Sequence, residues 1–364
     1  MKWFNIGDLH IQTPIIQGGM GVGISLSGLA SAVANQGGVG VIASAGIGML
    51  ETDGYSNFLE ASKRAFRREI QKARVATKGI LGVNIMVALT NFADMVKVAL
   101  EEKIDIIFSG GGLPIHLPQF LEKDSTTKLV PIVSSGRAAR IIIKKWMDKY
   151  NYLPDAIVVE GPLAGGHLGF KKEQLTNDEY SLDKILVDVL QEVDQMEEKY
   201  GRQIPVIAAG GVYSGEDIFH YLQMGAAGVQ MATRFVTTHE CDADLEFKLS
   251  YLHAKEEDVV IIESPVGMPG RAIKNDFIAQ IKEGKRKPFK CPYHCIISCD
   301  YENSPYCIAL SLLNAQQGKM KHGFAFAGKN VSQTHEIISV EELVDKLIAE
   351  YHAAAKKKSV LANP

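Results

Sequence analysis

The sequence contains no apolar run long enough to span a bilayer. Its opening residues, Met1-Lys2-Trp3-Phe4-Asn5, lack the extended apolar stretch of an export signal. These absences lead to the expectation of a cytoplasmic protein with no membrane partner. An excess of either charge is also missing: 39 Lys and Arg stand against 42 Asp and Glu, a formal net charge of −3. No nucleic-acid partner is therefore expected. The five cysteines are odd in number, which with no export signal argues against a secreted disulfide framework. What remains is a 364-residue chain, 46% hydrophobic and 22% charged, within the range of globular domains.

Short Val/Ile-rich runs alternate with helical patterns. Strands are predicted at 14–17, 39–43, 79–84, 105–109, 129–134, 156–160, 205–209 and 228–231. Most are continuous rather than alternating, as strands covered on both faces should be. Helices are predicted at 26–35, 58–76, 92–101, 137–150, 182–200 and 215–224. Eight such strands imply an α/β fold of the (β/α)8 TIM-barrel type, with active-site residues at the C-terminal strand ends. The strict alternation stops after Phe235. The expected division is a barrel over 1–240, a smaller, mainly helical cap over 241–335 carrying the cysteines, and a C-terminal helix and tail over 336–364.

Two runs stand out at the strand ends. Ala208-Ala209-Gly210-Gly211-Val212 and Gly225-Ala226-Ala227-Gly228-Val229-Gln230-Met231-Ala232-Thr233-Arg234-Phe235 each place a small-residue turn at the end of a buried apolar strand, the seventh and the eighth. Backbone N–H groups at those turns form the phosphate site of many such barrels. Arg234 either supports a phosphate or faces solvent. Gly18-Gly19-Met20-Gly21-Val22-Gly23 follows the first strand. It lacks the spacing of a dinucleotide fingerprint, and no acidic residue ends the second strand. It is either a tight turn or a place of close approach to a flat ligand. Asn84 can hydrogen-bond a heterocycle through both halves of its amide, or simply end a strand beside a core Met86. Ser134 and Ser135 either face that ligand or cap the next helix. Glu160-Gly161-Pro162-Leu163-Ala164-Gly165-Gly166-His167-Leu168-Gly169 puts one imidazole in a glycine-rich loop, where it can exchange a proton.

Cys291, Cys295, Cys299 and Cys307 crowd one stretch. They could hold zinc or an iron–sulfur cluster, but the spacing matches neither paired zinc motifs nor ferredoxin runs. Alternatively the first three line a helix face as small hydrophobes. The expectation is that no metal binds.

Taken in order, Pro14-Ile15-Ile16-Gln17-Gly18-Gly19-Met20-Gly21, Gly82-Val83-Asn84-Ile85-Met86, Ala164-Gly165-Gly166-His167-Leu168-Gly169, Ile207-Ala208-Ala209-Gly210-Gly211 and 228–235 resemble the nitronate monooxygenase family. That family is the former 2-nitropropane dioxygenase group and includes the flavin-dependent enoyl-acyl-carrier-protein reductase II. The resemblance implies FMN at the barrel mouth. Gly19, Met20 and Gly21 would pass along its ring, with Asn84 and Met86 beside it. Glu160 and Gly165 would lie near the ribityl chain, and Gly210, Gly211, Ala232 and Thr233 would hold the phosphate. Ser134 joins this cofactor set. His167 falls on the family's catalytic histidine, and Gly270-Arg271 resembles a cap loop of the family. Ala232 stands where a glycine is usual, putting a methyl against the phosphate.

The activity implied is oxidation of alkyl nitronates by O2 to carbonyl compounds and nitrite. The alternative is an NAD(P)H-dependent reductase of enoyl thioesters, for which the basic segments 63–74 and 285–287 could dock an acidic carrier protein. A third alternative is a flavin-binding redox sensor whose output is the cysteines. A homodimer is left open.

Overall fold

The computed structural model describes residues 1–285 and 291–362, so Arg286 and Lys287 of the second basic segment lie outside the described residues. The chain begins with an antiparallel hairpin, β1 (Phe4–Ile6) and β2 (Leu9–Ile11). Next come β3 (Ile15–Gln17), β4 (Val39–Ala43), β5 (Ile80–Met86), β6 (Ile106–Gly110), β7 (Lys128–Val133) and β8 (Ile157–Glu160). After a two-residue strand, β9 (Gly166–His167), the series resumes with β10 (Val206–Ala209) and β11 (Gly228–Met231). All except the hairpin and β9 form a closed parallel barrel in the order β10-β11-β3-β4-β5-β6-β7-β8. The fold is the (β/α)8 barrel that the strand spacing predicts.

The helices α1 (Ser27–Asn35), α2 (Phe58–Ala76), α3 (Phe92–Glu101), α4 (Gly136–Tyr150), α5 (Leu182–Tyr200) and α6 (Gly215–Gln223) alternate with the barrel strands, except that β6 is followed only by a short 3-10 turn, Leu117–Phe120. Alternate strand residues divide the core in two. Ile16, Val41, Phe108, Val130, Val158 and Ile207 pack together inside the barrel. Leu81, Val83, Ile85, Ile107 and Leu129 point outward against Phe66, Ile70, Met95 and Trp146 of the helices. Phe4, Ile6 and Ile11 of the hairpin join the inner cluster and so close the barrel floor. Local signals set the helix starts: Ser135 accepts from the Ala138 N–H at 3.2 Å, and Ser214 forms a capping box with Asp217.

Beyond β11 lie a single turn, α7 (Thr233–Val236), and α8 (Leu245–Leu252). Then β12 (Val259–Glu263) and β13 (Pro269–Ile273) pair antiparallel, and β13 pairs with β9. This three-stranded sheet is a feature that periodicity did not reveal. Helices α9 (Asp276–Lys282) and α10 (Ile308–Gln316) complete the roof, and α11 (Val340–Ala362) returns to pack on α6. Residues 291–307 are not helical, so the cysteines do not share a helix face. Pro292 and a left-handed His294 (φ 41°) interrupt that stretch. Among the described residues, no helix is long and apolar enough to cross a membrane.

Candidate active site

The strand ends open into a cavity of 640 Å3 between the barrel and its roof. Its wall contains Gly19, Met20, Gly21, Asn84, Met86, Ser134, Glu160, Gly165, His167, Gly210, Gly211, Ala232 and Thr233, so every residue singled out for cofactor or catalysis meets at one place.

The floor is shaped by close backbone approach. Gln17, fully buried, donates to the Gly18 carbonyl at 2.5 Å and accepts from the Val41 N–H at 2.9 Å, pinning the first turn. Ser25 Oγ accepts from the Met20 N–H at 2.8 Å. A Cβ on Gly19 would lie 2.4 Å from the Asn84 Cβ, so the turn passes directly over that amide. Gly210 (φ 82°) needs glycine twice over: its conformation is left-handed, and a Cβ would lie 2.5 Å from the Gly161 carbonyl. Among the described residues, no carbonyl accepts the N–H of Gly211, Val212, Ala232 or Thr233. Four donors are thus free at one end of the cavity, a cradle suited to an anionic oxygen cluster. Ala232 has φ −127°, a conformation open to any residue, so no glycine is required there.

The two serines divide their tasks. Ser135 caps α4, whereas Ser134 faces the cavity with its hydroxyl donating to the Gly169 carbonyl at 3.3 Å. Arg234 is not among the residues lining the cavity. Its guanidinium stacks over the Tyr213 ring at 4.8 Å and donates to the Tyr213 carbonyl at 3.3 Å. The cation that does line the cavity is Lys329, paired with Glu256 at 2.9 Å.

His167 lies on β9, held to the roof through the pairing of β9 with β13. Its Nε2 is 2.7 Å from Ser264 Oγ, and its ring packs edge-on against Phe326 at 5.0 Å. Burial without a carboxylate partner pulls the imidazole down to about 4, so it is neutral at neutral pH. Glu160 closes β8, and burial pushes its carboxyl up to about 7. Arg271, 4% exposed, donates to the carbonyls of Pro162 and Ala164 at 2.6 Å each. It clasps the loop that carries His167, and burial lowers it to about 10.

Sequence reasoning passed over the roof strap at 323–330. A Cβ on Gly165 would meet the Ala327 carbonyl carbon at 2.5 Å. The Gly328 N–H donates to Thr233 Oγ1 at 3.2 Å, and Asn330 donates to the Gly211 carbonyl at 2.9 Å. The available signal was Phe324-Ala325-Phe326-Ala327-Gly328, another apolar run ending in small residues.

A groove of 600 Å3 between α2 and α3 is a different kind of place. Four of the five cations lining it are matched: Lys63 with Glu60, Arg64 with Asp53, Arg67 with Glu102 and Arg68 with Glu51. The basic segment 63–74 is therefore a neutralised face, poorly suited to an acidic partner.

A family sequence model described as nitronate monooxygenase matches residues 4–350. Among curated relatives, the chain is 29% identical over 278 residues to (3aS,4S,5R,7aS)-5-hydroxy-7a-methyl-1-oxo-octahydro-1H-indene-4-carboxyl-CoA dehydrogenase of Mycobacterium tuberculosis, covering 76% of this chain and 68% of that one. It is 27% identical over 327 residues to a probable nitronate monooxygenase of Staphylococcus haemolyticus, covering 79% and 84% respectively. Among solved structures, FabK from Thermotoga maritima superposes with a TM-score of 0.74 at 27% identity, covering 96% of each chain. A nitroalkane oxidase from Streptomyces ansochromogenes gives 0.72 at 22% identity, covering 95% of this chain and 98% of that one, a likeness of fold alone.

Proposed function

Because this chain belongs to the nitronate monooxygenase family and is an oxidoreductase, we propose that it is an FMN-dependent enzyme oxidising alkyl nitronates with O2 to carbonyl compounds and nitrite. The cavity suits FMN on two counts. The free N–H groups around Gly211 and Thr233 match a phosphate, and the Cβ-free floor at Gly19 matches a flat ring against Asn84. In this reading Gly210, Gly211, Ala232 and Thr233 hold the phosphate. Glu160 and Gly165 lie along the ribityl chain, and Gly19, Met20, Gly21, Asn84, Met86 and Ser134 surround the ring. The chemistry supplied by bound FMN is transfer of electrons from substrate to O2.

The observation that carries the substrate choice is His167. A neutral imidazole pulled down to about 4, hydrogen-bonded to Ser264, is a weak base towards a C–H bond. It is well placed to donate a hydrogen bond to a substrate that arrives already anionic. A nitronate is such a substrate, and its charge would hold a proton on His167 during the reaction. The test is anaerobic mixing of the yellow protein with an alkyl nitronate. Rapid bleaching is expected, slowed at least tenfold in His167→Ala, with the neutral nitroalkane far slower. Bleaching by NAD(P)H but not by nitronate would overturn this reading.

That outcome would favour the second reading, reduction of an enoyl thioester. The apolar half of the cavity, lined by Leu89, Met268, Ile296, Ile308, Leu312 and Phe326, supports it by offering room for an acyl chain. The ion-paired face of α2 speaks against an acidic carrier protein as the thioester's bearer.

A further inference from the structure

The proposed reaction makes no use of Cys291, Cys295, Cys299 and Cys307. All four are free thiols, and all four line one cavity of 250 Å3 together with His294, Tyr301 and Tyr306. The backbone gathers them. Ile296 pairs antiparallel with Leu89, the Thr90 N–H donates to the Cys295 carbonyl at 3.2 Å, and the Ile297 N–H donates to the Ala88 carbonyl at 2.9 Å. Cys299 turns back, its N–H donating to the Ile296 carbonyl at 3.3 Å. Cys307 arrives from the other side, immediately before α10, with the N–H groups of Ala309 and Leu310 directed at its sulfur.

Two observations decide what such a cavity takes. Among the described residues, no three His, Cys, Asp or Glu side chains converge for a single metal ion. A polynuclear cluster, by contrast, carries its thiolates on different irons and so spreads them further apart. Secondly, Tyr306 in the cavity wall is 4% exposed, and its hydroxyl has no hydrogen-bond partner among the described residues. A sulfur atom in the cavity would accept a hydrogen bond from it.

We propose that Cys291, Cys295, Cys299 and Cys307 ligate an iron–sulfur cluster in this cavity, with Tyr306 donating a hydrogen bond to one of its sulfurs. The proposal is independent of which substrate the barrel accepts. Cys295, Ile296 and Ile308 line this cavity and the larger one alike, so the two sites share a wall.

The test uses the full-length protein, purified without air and reconstituted with ferrous iron and sulfide. Iron and acid-labile sulfide are expected in equal amounts, with a visible absorbance separate from any flavin bands. The double variant Cys299→Ser/Cys307→Ser should lose both. Cys241→Ser should keep both, because that thiol bonds the Ile24 carbonyl outside the cavity. Wild-type protein that stays iron-free after reconstitution, or that holds zinc alone, overturns the proposal whether or not the double variant folds. Tyr306→Phe should retain iron while the midpoint potential of the cluster falls, and an unchanged potential removes Tyr306 from the site.

Discussion

His167 couples acidity to stability. Its folded-state value of about 4 lies below the ordinary value near 6.5. Its contribution is complete above that ordinary value and is lost as the pH falls through about 4, because the unfolded chain takes the proton first. Glu160, raised to about 7, slopes the opposite way over part of the window. The informative quantity is therefore a difference. Between pH 7 and pH 4 the wild type should lose ~1–3 kcal/mol more than His167→Asn, as urea titrations at successive pH values would read. Parallel losses in the two proteins would mean that the imidazole is not held neutral. Much of the cavity wall was legible at this scale, since glycine, amide and imidazole at strand ends are few and conspicuous. Arg234 was not: its position in the sequence says nothing of the Tyr213 ring that captures it. Nor could the motif at Ala232 reveal a backbone that tolerates a side chain.

Among the elements, the barrel strands announced themselves because each is a continuous apolar run between helices. The roof did not, since β9 has two residues and its partner β13 lies about a hundred positions away. Periodicity carries no signal for such a pairing. Cysteines four residues apart likewise suggested a helix where the chain in fact adds to the loop after β5. β13 does more than cover the mouth, for Arg271 is its fastening to the loop over β8. Arg271→Met would leave two carbonyls unpaired in a buried setting. The expected loss is about 2–4 kcal/mol in chemical denaturation, together with a fall in kcat larger than any change in cofactor occupancy. Unchanged stability would mean that the clasp is dispensable.

For the molecule as a whole, the floor is as telling as the mouth. The hairpin β1–β2 seats Phe4, Ile6 and Ile11 under the barrel, and Ile6 is fully buried. Ile6→Ala should cost about 2–4 kcal/mol with little effect on catalysis at the far end, as thermal unfolding beside steady-state assays would show. A loss of activity without a loss of stability would contradict a purely structural floor.

The strap and clasp also carry a temporal meaning. Arg271 reaches back 109 and 107 residues to Pro162 and Ala164, Gly328 reaches 95 to Thr233, and Asn330 reaches 119 to Gly211. Barrel strands, in contrast, mostly join their neighbours in the chain. Contacts over longer loops are slower to close. The pairing that seals the barrel, Val229 of β11 with Ile15 of β3, spans more of the chain than any of these, so closing the ring and shutting the roof are both non-local steps.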